Sequence, residues 1–203
     1  NANGVSDPRI IAGPDGRVAV GWADFESGDQ AYTVTHRESG AEAFKPPARL
    51  SGLHDTIGQA QLTYLSNNDL ATGWTEQDSG DFSVHTSTWD TSDGSWSPSE
   101  QIGGGSTFVP AIAGTVDGHT VFSTVTLGSG YTSSYTTRVL DGSWEPLATF
   151  ETPWPTGALA GLTALKDGSV VGLALVGDQD SGLSLATSRW TPTSGTFSTP
   201  QAI

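Results

Sequence analysis

Short runs of alternating apolar and polar residues fill this chain, broken by turns rich in Gly, Asn, Asp and Ser. The stretch 59–102 shows the pattern most plainly. "QAQLTYL" (59–65), "LATGWTE" (70–76), "FSVHTSTW" (82–89) and "WSPSEQI" (96–102) read as four successive strands, joined by "SNND", "QDSGD" and "DTSDGS". A period of two with frequent β-branched residues is the signature of half-buried strands. The turn residues supply the positive φ angles that tight hairpins need.

The same pattern occurs four times. "DGSWSP" (93–98) has a near copy in "DGSWEP" (141–146), and looser relatives in "SGAEAFKPP" (39–47) and "SGTFSTP" (194–200). The aromatic anchors Phe44, Trp96, Trp144 and Phe197 are spaced by 52, 48 and 53 residues. A second landmark agrees: the turns at Asp15, Asn68, Asp117 and Asp167 each precede an apolar alternation and are spaced by 53, 49 and 50. Two independent landmarks with one period make this a repeat protein.

Four-stranded units repeating near 50 residues predict an all-β fold, a β-propeller of four antiparallel blades. The chain 1–203 is read as one domain with blades near 7–52, 53–104, 105–154 and 155–203. Proline stands in or beside the last strand of each copy, at Pro46, Pro47, Pro98, Pro146 and Pro200. Lacking an N–H, proline belongs at a sheet edge, so this strand is placed outermost in its blade. The small apolar first strands ("IIAG", "PAIAG", "LAGLTAL") are placed innermost. Four blades either close a small ring or form part of a larger one, completed by further sequence or by a second chain in a homodimer.

Composition narrows the functional classes. The formal net charge is −14, with 22 acidic and 8 basic residues, which disfavours nucleic acid and anionic membrane as partners. Five of the basic residues, Arg9, Arg17, Arg37, Lys45 and Arg49, crowd into the first quarter, a bias read as drift within a solvated surface. The absence of cysteine excludes disulfides and thiolate metal sites. No apolar run is long enough to span a bilayer as a helix. The beginning "NANGVSDPRI" has no Met and suits a mature region whose targeting segment has been removed, so the expected location is secreted or cell-surface.

"PRIIAGPDGRVAVGWAD" (8–24), "SDGSW" (92–96) and "LDGSW" (140–144) resemble the blade pattern of the sialidase (neuraminidase) superfamily. In that family an arginine-bearing first strand precedes a tight turn, and an aspartate box of the form Ser-x-Asp-x-Gly-x-x-Trp joins the third and fourth strands. The resemblance implies that the box is structural. Asp93, Trp96, Asp141 and Trp144 then shape turns and wedge between blades, as do Phe44 and Phe197 in the degenerate copies. A carboxylate bonding a backbone N–H two residues on, and an indole burying about 150–250 Å², suit those roles. The aligned pair Trp22 and Trp74 is also expected to pack between blades.

Sialidase chemistry would need an arginine triad, a Tyr–Glu nucleophile pair and an aspartic acid/base. Arg9 matches the first triad position. Arg138 and Arg189 fall within third strands of their copies, away from where the triad is needed, and no Tyr–Glu pair can be placed. His36, His54, His85 and His119 are scattered over three copies and read as satisfied histidines rather than metal ligands. Candidate function therefore moves to the loops joining second to third and fourth to first strands, which share one face of a propeller. They bring Asp24, Glu26, Asp29, Glu76, Asp78, Asp81, Asp178 and Asp180, with Tyr131 and Trp154, toward one surface. Arg9 is kept beside them as a candidate ligand contact. Carboxylates with aromatic rings suit sugar hydroxyls. They could also hold Ca²⁺, although no calcium-loop motif is present and no cofactor is required.

The expected function is a non-enzymatic module binding glycan or protein through this face. The alternatives are a propeller glycoside hydrolase, whole or in part, and a structural or assembly domain of a larger protein.

Overall fold

The computed structural model describes residues 4–105, 107–127, 131–139, 145–152, 159–178 and 182–203. Among them the chain forms four antiparallel sheets and no α-helix, and no helix is long and apolar enough to cross a membrane. Contacts divide the chain into two compact units, 1–64 with 68–104, and 65–67 with 105–203.

The first unit holds two sheets. The first comprises β1 (Val5–Ala12), β2 (Val18–Glu26), β3 (Asp29–Arg37) and β4 (Ala48–Arg49), hydrogen-bonded in chain order. The second comprises β5 (Thr56–Tyr64), β6 (Leu70–Asp78), β7 (Asp81–Asp90) and β8 (Ser95–Trp96), with β9 (Glu100–Gly103) also pairing β7. Two local features explain the ladders. The β2–β3 and β6–β7 turns are Ser27–Gly28 and Ser79–Gly80, with φ of 59° and 108° and of 52° and 92°. Two consecutive positive φ angles are what a type I′ hairpin requires. The first strand of each sheet also carries a register shift, between Ser6 and Arg9 in β1 and between Gly58 and Gln61 in β5. Asp7 and Gln59 take matching φ values of 48° inside those shifts. The extra residue re-aims the strand without losing the alternation beyond it.

The core of this unit lies between its two sheets. Ala19, Ala23, Tyr32 and Val34 of the first sheet meet Ile57, Ala60, Leu62, Leu70, Trp74 and Trp89 of the second. Each fully buried aliphatic side chain contributes roughly 1.5–3 kcal/mol. The small residues Ala19, Gly21 and Ala23 keep β2 low, so the Tyr32 ring leans over Gly21 and stacks on Trp74 at 4.9 Å. The Tyr32 hydroxyl meets Thr72 Oγ1 at 2.8 Å, which satisfies the polar atom that Tyr32 buries. Trp22 alternates to the face turned away from the second sheet and is half-buried.

The last strands of these two sheets are short where proline interrupts them. β4 has two residues after Pro46 and Pro47, and Pro98 separates β8 from β9. Trp96 packs edge-on to Trp89 at 5.8 Å and reaches His36 of the first sheet at 6.4 Å. Phe44 is different. It stands 43% exposed in the loop before β4, with the Arg37 guanidinium over its ring at 5.7 Å. It does not wedge between the sheets: residues 38–47 form a loop, and Phe44 stands on its exposed side just before Lys45 N donates to His36 O at 2.8 Å.

The second unit repeats the plan. Its third sheet runs β10 (Thr107–Gly114), β11 (His119–Leu127), β12 (Tyr131–Val139) and β13 (Glu145–Thr152). The fourth runs β14 (Leu159–Ala164), β15 (Val170–Asp178), β16 (Gly182–Trp190) and β17 (Gln201–Ala202). Register shifts recur between Phe108 and Ala111 and between Leu159 and Gly161. Its core gathers Ala113, Val121, Val170, Trp190 and Phe197.

Candidate functional site

The loop end of the second sheet gathers a cluster of acids and imidazoles. Glu76 stands near the end of β6, two residues from Trp74 and on the same face, because strand side chains alternate. The Trp74 indole N–H donates to Glu76 Oε1 at 2.8 Å. The other carboxylate oxygen, Oε2, lies 3.2 Å from Nε2 of both His54 and His85. Glu76 is buried, and both imidazoles are mostly so.

Each histidine is held from elsewhere. His85 sits opposite Trp74 across the β6–β7 ladder, its ring 5.9 Å from the indole. Its nitrogens also meet Ser83 Oγ at 3.0 Å and Ser99 Oγ at 3.1 Å. His54 comes from the β4–β5 connection and exchanges two backbone hydrogen bonds with Gln30 of the first sheet, at 2.8 and 2.9 Å. Its Nδ1 stands 2.7 Å from Asp78 Oδ2. The β6–β7 turn is closed onto the same connection: Asp55 N donates to Asp78 Oδ1 at 3.1 Å, and Ser79 N donates to Asp55 Oδ2 at 2.7 Å. Gln30 Oε1 accepts from Ile57 N at 2.9 Å, tying the start of β5 to β3.

The electrostatics follow from this packing. Burial pushes the His85 imidazole below the ordinary histidine value, against the pull of the Glu76 carboxylate. The hydrogen bond from His54 holds the Asp78 carboxyl below the usual carboxylate range. A neutral imidazole offers one donor and one acceptor. Both nitrogens of His54 face carboxylates, Nδ1 toward Asp78 and Nε2 toward Glu76, beneath an exposed rim. Asp78 is 59% exposed, and Asp81 pairs with it across the turn.

Of the residues marked out by sequence, Glu76 and Asp78 come together here on His54. Asp24 and Asp29 stand at the loop end of the first sheet, where Asp29 pairs with Glu26 across the β2–β3 turn. Glu26 is engaged by Arg49 at 2.6 Å. Arg9 is exposed and lies mid-strand in β1, opposite Gly21. Tyr131 opens β12 and Asp178 ends β15, the loop ends of their own sheets. Trp154, Asp180, Asp141 and Trp144 lie outside the described residues. Asp93 accepts from Ser95 N at 2.9 Å and Ser95 Oγ at 2.8 Å, shaping the turn before β8.

Sequence reasoning missed His54 and His85 as partners of the acids, and Gln30 as the residue that holds the His54 backbone. The signal for His85 was present: counting outward from a two-residue turn at Ser79–Gly80 sets it opposite Trp74. Nothing local signals His54, which is brought in by the connection between two sheets. Arg138 and Arg189 pair with Thr120 and Val171, at the ends of β12 and β16 far from the loop end. Arg189 is bonded to Asp167 Oδ2 and Ser169 Oγ there. Among the described residues, no group of three or more His, Cys, Asp and Glu side chains is arranged to hold a metal ion.

No protein-family model and no curated protein sequence matches the chain. Solved structures do. A Dyadobacter fermentans protein of unknown function is similar with a TM-score of 0.66 and 9% identity, over 98% of this chain and 68% of that one. A variant of the NanB sialidase from Streptococcus pneumoniae is similar with a TM-score of 0.65 and 8% identity, over 100% of this chain and 52% of that one. An ulvan lyase of polysaccharide lyase family PL25 is similar with a TM-score of 0.63 and 8% identity, over 98% of this chain and 56% of that one. This chain therefore spans about half the length of the sialidase and the lyase. At these identities the likeness is one of fold: an all-β chain of antiparallel sheets whose structural neighbours are β-propeller-type proteins.

Proposed function

We propose that the chain is a secreted or cell-surface β-propeller module of four four-stranded blades that binds carbohydrate through the loop end of its second sheet. The observation that carries this reading is the Asp78–His54–Glu76 arrangement, at 2.7 and 3.2 Å. It fixes an exposed carboxylate rim on a buried, hydrogen-bonded base. A rim held in one conformation presents acceptors to sugar hydroxyls without the ordering cost of free surface carboxylates. The fold neighbours named as a sialidase and an ulvan lyase support a carbohydrate ligand. The positions of Arg138 and Arg189, far from the loop ends of their strands, support binding rather than sialidase-type turnover.

The test is an array of neutral, acidic and basic glycans probed with the full chain and with Asp78→Asn and Asp81→Asn. A consistent subset of glycans should bind, and the two variants should weaken that binding about tenfold or more, the loss of roughly one good hydrogen bond to a charged acceptor. An array with no hits, or hits indifferent to both substitutions, overturns the assignment. Release of product from a fluorogenic glycoside panel would move the module into the enzyme class.

A further inference from the structure

The opposite end of the first unit holds a second polar cluster that the glycan-binding reading does not use. It joins Arg17 from the β1–β2 turn, His36 near the end of β3, Glu38 and Lys45 from the following loop, Tyr64 at the end of β5 and Trp89 near the end of β7. Three of the chain's eight basic residues, Arg17, Arg37 and Lys45, lie in or beside it, in a chain of net charge −14. The Lys45 ammonium stands 4.7 Å over the Trp89 ring, which also packs against the His36 ring at 4.4 Å. Arg17 is anchored by one hydrogen bond, from Nη1 to the Asn68 carbonyl at 3.1 Å.

Two observations show that this cluster is not internally satisfied. First, Arg17 Nε, His36 Nε2, Tyr64 Oη and Trp89 Nε1 are all buried without a hydrogen-bond partner. His36 is 4% exposed and Trp89 8%. Leaving such a group unpaired costs about 1–3 kcal/mol. Arg17 Nε and Trp89 Nε1 can only donate. The Tyr64 hydroxyl, pushed up to about 12 by burial and by Glu38, keeps its proton at neutral pH and can donate too. Second, the one carboxylate in the cluster fits it poorly. Glu38 lies 3.3 Å from His36 Nε2, 3.7 Å from Arg17 Nε and 3.9 Å from Lys45 Nζ. It sits among three donors and completes a good hydrogen bond with none of them.

We propose that Arg17, His36, Lys45, Tyr64 and Trp89 form an oxyanion-binding site, in which the Glu38 carboxylate is an internal occupant that an external carboxylate, phosphate or sulfate displaces. Glu38 and Lys45 are the members most open to solvent, at 32% and 43%. Arg17 Nε and His36 Nε2 already lie against the Glu38 carboxylate, so an incoming anion takes its place there as Glu38 swings outward. A planar or tetrahedral anion free of a backbone tether can approach to 2.7–2.9 Å, the distance of a charge-assisted hydrogen bond. The internal carboxylate lowers apparent affinity by the fraction of molecules in which it is bound. This site is independent of the loop-end site and stands or falls separately from it.

The experiment titrates the full chain with sodium acetate, phosphate and sulfate at constant ionic strength, following the Trp89 indole N–H by NMR, assigned through Trp89→Phe. Glu38→Gln should give a saturable shift with at least one anion, and the wild-type chain the same shift about tenfold more weakly. Arg17→Gln in the Glu38→Gln background should abolish it, with Lys45→Gln as the second variant if Arg17→Gln does not fold. Saturation by acetate alone identifies a carboxylate ligand, and by phosphate or sulfate alone a tetrahedral one. Either supports the site. A folded Glu38→Gln chain whose Trp89 signal shows no saturable shift with any of the three overturns it.

Discussion

The imidazole of His54 and the carboxylate of Asp78 meet at 2.7 Å, and through them the connection between two sheets is bolted to a hairpin turn. His54 is the donor that holds the Asp78 carboxyl low. Replacing His54 with Asn should therefore move the Asp78 titration up toward the ordinary carboxyl value of about 3.9. Carboxyl carbon NMR across pH 2–6 reads this directly, and an unmoved titration would show that the bond does not persist in solution. A depressed carboxyl value adds stability above the ordinary range that is lost as pH falls through the depressed value. Because Asp78 is 59% exposed, that contribution is at most about 1 kcal/mol.

His85 acts in a higher pH window. Burial lowers its value in the folded chain, as it does for His36, so the unfolded chain binds the proton more readily. Stability from these groups is complete above the ordinary histidine value of about 6.5 and falls as pH drops from there through their lowered values. Urea denaturation at pH 7.5, 6.5 and 5.5 should show a falling midpoint. His85→Gln should flatten part of that fall. A midpoint that rises on acidification contradicts the burial of both rings.

Trp74 carries two burdens, the stack on Tyr32 and the hydrogen bond to Glu76. Trp74→Ala should cost about 3–5 kcal/mol, as large-to-small changes of buried aromatics do. Trp74→Phe keeps most of the stack and removes only the donor, so it should cost about 1–3 kcal/mol through the unpaired Glu76 oxygen. Equilibrium denaturation separates the two. A Trp74→Phe chain as stable as the wild type would mean that the indole N–H contributes nothing.

Gly21 has no room for a methyl group. A Cβ there would collide with the hydroxyl of Tyr32, which is fully buried and bonded to Thr72. Gly21→Ala should destabilise the chain by about 1–3 kcal/mol, the usual cost of overpacking a closed core. In the same variant background Tyr32→Phe should relieve part of that cost, which a double-mutant cycle in urea measures.

What the sequence disclosed follows the physics of short-range order. In the second copy, the turns "SNND" and "QDSGD" and the alternation between them place β5, β6 and β7 to within a few residues, because two-residue periodicity and turn chemistry are local. Phe44 misled for the opposite reason. It aligns with Trp96, yet whether an aromatic wedges between sheets depends on the path of the loop that carries it, and the loop 38–47 leaves Phe44 exposed under Arg37. His54 was invisible as a partner of Glu76 and Asp78 because 21 positions and a sheet boundary separate it from Glu76. The basic bias of the first quarter was visible and was read as drift. Only the fold shows that Arg17, Lys45 and His36 converge on one carboxylate.

The four sheets pair their strands in chain order, and each ladder is closed within one copy of about fifty residues. That has a kinetic meaning. A hairpin forms in about 1–10 μs, whereas a ribosome adds about 5–20 residues per second. Each copy can thus complete its hydrogen bonding before the next has left the ribosome, and no strand waits unpaired for a distant partner. For a chain made almost wholly of strands, building one sheet at a time limits how long adhesive edges stand open to neighbouring molecules.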